Sequence, residues 1–401
     1  MKAADGPARL PPGMATIALL TFLAALGQFS TSVYLPSFPS IARELAAPMS
    51  LVQLTLTAYL ATMATAQLVL GPLADRFGRR RIVLAGLAIF LAGSLLATLA
   101  PGLAALMAGR ALQAGGAAAC AVASRAVVRD SFEGAEISRA MAAIAIAFAV
   151  VPAAAPIIGG VLEDAAGWRW GMATTVVAGI VGIAVVLARL PETNRSHLAS
   201  LAPLAMLRAY GPVLADADFR RWAIVVGGTM GGLFASTAGW PDVLIGRLGL
   251  SATAYGLTSI VTVAAFVLGG VATRRLVARI GETTLAWCGL ALLTLGTASL
   301  LAPLVAGHLG LVAILAAMAV WTAGVGMVLP TAMGAALRGF PERAGTASAM
   351  LGFVQGGAAA LGAAVTGALT DALGALAFPV ALAGFTALAI AGFAAPRSGR
   401  G

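Results

Sequence analysis

Arg110 is the one charged side chain well inside a long apolar stretch of this 401-residue chain, because the run from Ile82 to Ser124 otherwise lacks Asp, Glu, Lys and Arg. In lipid a guanidinium costs about 2.5 to 3.5 kcal/mol on insertion scales, so it should face protein or water and hold a partner. The chemistry open to it is electrostatic: tuning a neighbouring acid or a bound water. A competing reading has the side chain snorkel to the interface, since it lies only about two helical turns past Pro101. Bond-making chemistry needs paired carboxylates, a metal cluster, or a nucleophile with its base. None is visible: no acid lies deep within an apolar run, and Asp242, Glu163, Asp164 and Asp371 sit near run ends. The only histidines are His197 and His308, and Cys120 and Cys288 form neither a disulfide framework nor a metal spacing. The reading is therefore not an enzyme, with no metal site and no cofactor.

Composition sets the solvent. With 60% hydrophobic residues, 10% charged residues and a mean hydropathy of +0.97, the chain cannot cover a soluble globule with polar surface. A bilayer core of roughly 30 Å needs about 20 apolar residues per helix. Charge-free runs of one span are Leu10 to Ala42, Leu45 to Ala74, Ala140 to Leu162, Trp170 to Ala188, Trp222 to Pro241, Leu248 to Thr273, Ala344 to Thr370 and Ala372 to Pro396. Ile82 to Ser124, turning at Ala100-Pro101-Gly102, and Thr283 to Leu337, turning near Gly307-His308-Leu309-Gly310, each suffice for two. Twelve spans follow. The first begins near Lys2 and is not a signal peptide, since no small-residue cleavage site closes a short apolar region.

With the N-terminus inside, only Arg43, Arg169 and Arg247 of the 25 Lys plus Arg fall in outer loops. The positive-inside rule then places both termini in the cytoplasm. Basic loops against anionic inner-leaflet lipid account for the net charge of +10 with no nucleic-acid partner.

The runs end in a recurring frame, G-x-L-x-D-x-x-G. Its copies are Gly71 to Gly78, followed by Arg79, Arg80 and Arg81; Gly160 to Gly167; and Gly367 to Gly374. The last two share one offset, so the fifth and eleventh helices are equivalents. Internal duplication is the usual construction of secondary transporters. The fourth copy has decayed to Gly270-Val271-Ala272-Thr273-Arg274-Arg275, with Gly281 further on. The fold class is all-α membrane protein, with twelve transmembrane helices in two pseudo-symmetric six-helix bundles. The bundles are residues 1–190 and 222–401, joined by a cytoplasmic linker at 191–221.

On these motifs the chain resembles the major facilitator superfamily, nearest the Bcr/CflA drug-resistance branch of drug:proton antiporters. Gly71, Asp75, Arg76, Gly78, Arg79 and Arg80 are similar to the superfamily's signature loop, with Arg129-Asp130 as a further family-like feature. Physically, Asp75 can cap a helix N-terminus while the arginines meet carboxylates or helix C-termini, a latch for one conformation. Arg110 and Gln113 fall in a segment that resembles the fourth-helix motif linked to proton coupling. Pro152, Pro156, Gly159 and Gly160 resemble the fifth-helix antiporter motif, whose prolines bend the helix and whose small residues allow close backbone approach. Tyr34-Leu35-Pro36, Trp168-Arg169, Pro191-Glu192-Thr193 and Ala344 to Ser348 add to the resemblance. One departure stands out: where the branch commonly carries an aspartate before Tyr-Leu-Pro, this chain has Ser32, which cannot ionise near neutral pH. Asp242 is then the acid nominated for coupling.

Polar and aromatic residues on apolar helices nominate a substrate cavity: Gln28, Ser32, Tyr34, Tyr59, Met63, Gln67, Met230, Phe234, Trp240, Trp321 and Gln355. Packing is the competing role for each. The resemblance implies a monomeric bacterial inner-membrane exporter of small amphipathic drug-like compounds, driven by the proton gradient through alternating access. The alternative is an importer or uncoupled facilitator for a small metabolite.

Overall fold

In lipid every backbone N–H and C=O must be satisfied within its own segment, and runs this apolar can do that only as helices. The computed structural model describes residues 13–194, 210–305, 310–340 and 343–395, and these are helical almost throughout. The turn expected at Gly307 to Leu309, with His308, and His197 in the expected linker lie outside the described residues.

In chain order the helices are α1 (Met14–Ser32), α2 (Phe38–Glu44), α3 (Met49–Phe77), α4 (Arg79–Thr98), α5 (Leu103–Ser131), α6 (Ala135–Ala166) and α7 (Trp168–Arg189). They continue with α8 (Ala217–Pro241), α9 (Ala252–Val305), α10 (Leu311–Arg338), α11 (Ala344–Leu373) and α12 (Ala377–Ala394). Among the described residues ten helices are long and apolar enough to cross a membrane, with α1 and α2 joined and α11 and α12 joined in that reckoning. The large exposed side chains on α6 and α7, such as Phe148, Val161, Val177 and Ile180, are what a lipid-facing surface requires. α5 and α8 are the most enclosed.

Several expectations shift. The first span is not one rod: α1 ends at Ser32, a 3-10 turn covers Leu35–Ser37, and α2 completes the crossing, because Pro36 and Pro39 remove backbone donors there. The run expected to end at Thr273 continues as helix through Arg274, Arg275 and Arg279 and breaks at Gly281, where φ is 77°. The closing glycines of the three frame copies, Gly78, Gly167 and Gly374, also have positive φ, which a side chain disfavours. Counting back from Gly281 places the fourth frame at Arg274 with Leu276 in the leucine position, and not at Gly270. Within the expected linker, Asp216 caps α8 by accepting from Phe219 N at 2.8 Å, and residues 217–221 are helical.

α6 packs along α9, and α3 along α11. These two seams join the chain before residue 194 to the chain after 210. One end of the helices carries Asp75, the other Asp164.

Candidate functional site

Arg110 does not snorkel. It lies on α5, fully buried, with its guanidinium sandwiched between the rings of Tyr34 and Tyr59, 4.0 and 4.1 Å from their centroids. NH1 donates to Ser30 O at 2.8 Å and to Gln113 Oε1. Gln113 Nε2 in turn donates to Ser94 Oγ (2.8 Å) on α4 and Thr175 Oγ1 (2.9 Å) on α7. Tyr59 shares a 2.7 Å hydrogen bond with Ser30 Oγ, and Tyr34 sits beside Thr55 at 3.4 Å. Two desolvated cation–π contacts, about 2 kcal/mol each, are of the size of the insertion cost quoted above. The balance is incomplete: Nε and NH2 are buried without a hydrogen-bond partner. An unmet buried donor costs about 1–3 kcal/mol. The partners are neutral, and the neighbouring acid that Arg110 was expected to tune is not among its contacts. Asp242 pairs instead with Arg247 Nε at 3.1 Å, on the π-helical segment that follows α8.

At the Asp75 end the arginines meet carboxylates and a helix C-terminus, and only the capping carboxylate differs from the one expected. Arg79 binds both Asp75 and Asp130, the latter at 3.1 Å. The carboxylate that caps a helix start is Glu192, not Asp75: Glu192 accepts from Arg79 N (2.8 Å) and Arg80 N (3.2 Å), neutralising the unpaired donors of α4. Sequence had placed Glu192 only within the segment after α7. Asn194 Nδ2 closes the cluster on Asp75 O at 2.7 Å. Arg80 reaches Leu187 O, and Arg76 lies over Phe77. Arg129 is exposed and turns back to Arg125 O, outside the carboxylate cluster. Gly71 has nothing but Val122, 4.0 Å from where a Cβ would stand.

The other two frame copies behave differently. Asp164, ending α6, accepts from Ala252 N (3.1 Å) and Thr253 N (2.8 Å), the first turn of α9. Asp371, ending α11, accepts from Ser50 Oγ (2.7 Å) in the first turn of α3. Their leading glycines face the same helices, since a Cβ on Gly160 would stand 2.2 Å from Ala252 O and one on Gly367 3.2 Å from Ser50 O. Gln53, fully buried and not nominated from sequence, bridges the same region, donating to Ala238 O (3.1 Å) and accepting from Thr370 Oγ1 (2.8 Å). α6 is equally close to its other neighbours: a Cβ on Gly159 would lie 1.8 Å from Val33 O at the end of α1, and across the seam Ser259 Oγ donates to Ala153 O at 2.8 Å. Pro152 and Pro156 lie inside α6, next to that contact. Glu44 ties Trp168 Nε1 (2.7 Å) and Arg169 to the end of α2.

The cavity candidates divide. Gln28, Met63, Gln67, Met230, Phe234 and Gln355 are partly exposed. Tyr34 and Tyr59 belong to the Arg110 sandwich, and Ser32 is buried beside the end of α1. Trp240 and Trp321 are buried: Trp240 lies 5.3 Å from the Phe378 ring, and Trp321 is 1% exposed with Nε1 towards Thr386.

A bundle of this kind, with broken helices and duplicated helix-end clasps, defines a polytopic transporter fold. A family model for the Major Facilitator Superfamily matches residues 17–363, and the chain belongs to that superfamily. Multidrug resistance protein D of Escherichia coli (strain K12) is 31% identical over 340 residues, 84% of each chain. The chloramphenicol resistance protein of Pseudomonas aeruginosa is 30% identical over 339 residues, 84% of this chain and 80% of its own. The fold matches the crystal structure of a bacterial homologue of the human lysosomal transporter Spinster with a TM-score of 0.71, covering 96% of this chain and 94% of that one at 17% identity. The chain is thus a multi-pass membrane transporter with multidrug- and antibiotic-resistance relatives.

Proposed function

We propose that this transporter exports small amphipathic drug-like compounds across the bacterial inner membrane, by alternating access of two six-helix bundles and in exchange for protons. Twelve crossings follow if α9 spans once on each side of Gly281, about 43 Å and 36 Å of helix, and α12 spans separately from α11. The bundles are 1–190 and the part from α8 onward, working as a monomer without a cofactor. By the positive-inside rule the Asp75 end, with Arg76, Arg79, Arg80 and Arg81, faces the cytoplasm together with both termini.

The observation that carries this reading is the asymmetry between frame copies. At the Asp164 end both copies clasp a helix start across the seams, whereas at the Asp75 end the partners given for Gly71 and Asp75, namely Val122, Arg79 and Asn194, all precede residue 195. That is the pattern of a carrier closed outside and open inside. Export, in preference to import, is supported by the resistance relatives and by the proline- and glycine-bearing α6 seated on α9. Chloramphenicol is the first compound to test: expression in an efflux-deficient host should raise its inhibitory concentration at least several-fold, and an unchanged value across a drug panel would remove the exporter reading.

One observation favours a second reading, an uncoupled facilitator. Asp75, Asp130, Asp164, Asp242 and Asp371 all sit at helix ends, leaving Arg110 without an acid whose protonation it could tune. Proton release on drug binding to detergent-solubilised protein separates the two; none at any pH favours the facilitator.

A further inference from the structure

The Arg110 guanidinium is a buried cation supplied with neutral partners only. Its NH1 is spent on Ser30 O and Gln113, its faces on Tyr34 and Tyr59, while Nε and NH2 are buried without a hydrogen-bond partner. The edge of a guanidinium that carries Nε and NH2 is the fork that receives a carboxylate through two parallel hydrogen bonds. Here both atoms of that fork are buried without a hydrogen-bond partner, and no carboxylate among the described residues pairs with the guanidinium.

The fork also has a route to it. Tyr34, which covers one face, is not on a continuous helix: it stands between the end of α1 at Ser32 and the 3-10 turn Leu35–Ser37. A side chain on a helix break can swing with a local backbone rotation that an α-helix would resist. Broken helices are also where transporters of several folds place their binding sites, near the bilayer midplane. On the other side Tyr59 is tied to Gly27 O and Ser30 Oγ, close to where Met63 meets Gly27 and where Gln28 is partly exposed.

We propose that Arg110 is an anion-binding subsite, and that the carboxylate of an acidic amphipathic cargo docks on its Nε and NH2 after Tyr34 moves aside. The proposal rests on the transport reading above and adds to its cargo compounds that pair an apolar body with an acid group, beside neutral drugs that leave the fork unused. The cargo's apolar part would lie toward the partly exposed Met63 and Gln28, and its carboxylate would supply the charge that the helices lack. Tyr34 and Tyr59 then act as specificity residues, since a flat cation between two rings admits a planar carboxylate along its edge.

The test is equilibrium binding of radiolabelled benzoate to the purified full-length protein in detergent, with benzamide and chloride as competitors. Saturable binding, displaced by unlabelled benzoate and not by benzamide, with at least tenfold weaker affinity in Arg110→Gln and partial recovery in Arg110→Lys, is the expected result. Displacement by chloride at equal concentration would mean an inorganic counter-ion site and overturn the cargo assignment; equal binding of benzamide would overturn the charge argument. Should Arg110→Gln fail to fold, the wild-type protein serves alone. Modification of Arg110 by phenylglyoxal, read by mass spectrometry, should be slowed by benzoate; unchanged modification overturns the proposal, as does complete resistance with and without benzoate. Neither measurement depends on transport, so export without benzoate binding refutes this site alone, and binding without export refutes the exporter reading alone.

Discussion

Removing the Asp164 carboxylate should open the clasped end of the transporter, and the structure sets the size of the effect. Asp164 accepts from Ala252 N and Thr253 N, two of the unpaired donors that begin α9. Losing such a cap costs about 0.5–2 kcal/mol, and losing a negative charge at a helix start about 0.3–1 kcal/mol more. If the clasp exists only when this end is closed, Asp164→Ala shifts the equilibrium toward the open form by about 1–3 kcal/mol, roughly five- to 150-fold. Asp164→Asn keeps an acceptor and loses only the charge, so its shift should be about two- to fivefold. Nitroxide pairs on Arg43→Cys and Ala372→Cys, both exposed and on opposite sides of the seam, report the populations by pulsed electron resonance once Cys120 and Cys288 are replaced. The expected order of the long-distance population is Ala above Asn above wild type. An Asn shift as large as that of Ala would refute the cap, and no shift in either would show that the contact survives opening.

The reciprocal state should bring the Asp75 copy across the seam: by the pattern of Asp164 and Asp371, Asp75 should approach the start of α11. A disulfide between Asp75→Cys and Thr346→Cys should form in the outward-open protein, and its absence under every condition would break the analogy between copies. Gly160→Leu should abolish transport, because a Cβ there already stands 2.2 Å from Ala252 O, whereas Gly115→Ala, with only Thr62 at 4.0 Å, should transport normally. Trp321→Ala should lower thermal stability by about 3–5 kcal/mol as a buried aromatic truncation, while Phe234→Ala, partly exposed, should alter drug profile at near-normal stability. A Trp321→Ala protein with wild-type melting would remove it from the core. Glu192→Ala should weaken the start of α4 by about 0.5–2 kcal/mol and reduce transport with abundance near normal; wild-type transport would make the cap dispensable.

Much of the architecture was legible because lipid leaves the backbone one solution, so charge-free runs read directly as helices. The break inside Ile82 to Ser124 falls where Ala100-Pro101-Gly102 put it, between Thr98 and Leu103. What sequence could not give was partnership across long separations. Glu192 and the start of α4 are joined across more than a hundred residues, and a lone glutamate after an apolar run carries no sign of that destination. Gln53 and Thr370 are further apart still. The frame did hold a usable signal: the aspartate of each copy lies one helical turn past the leading glycine, so the glycine that admits a partner helix predicts that the aspartate can cap it. Aromatic residues are hard to divide for a different reason. Trp240 and Trp321 are as apolar as Phe234, and only packing decides which are enclosed and which is partly exposed.

The central claim, outward transport coupled to protons, is tested most directly by uphill movement of chloramphenicol in proteoliposomes with an imposed pH gradient. With the cytoplasmic face turned outward and the lumen acid, the drug should accumulate in the lumen above its external concentration, collapse with a protonophore, and fail to accumulate with Asp75→Asn protein of equal abundance. Equilibration to equal concentrations, indifferent to the gradient, would contradict proton exchange; accumulation in the opposite direction under the same gradient would contradict export.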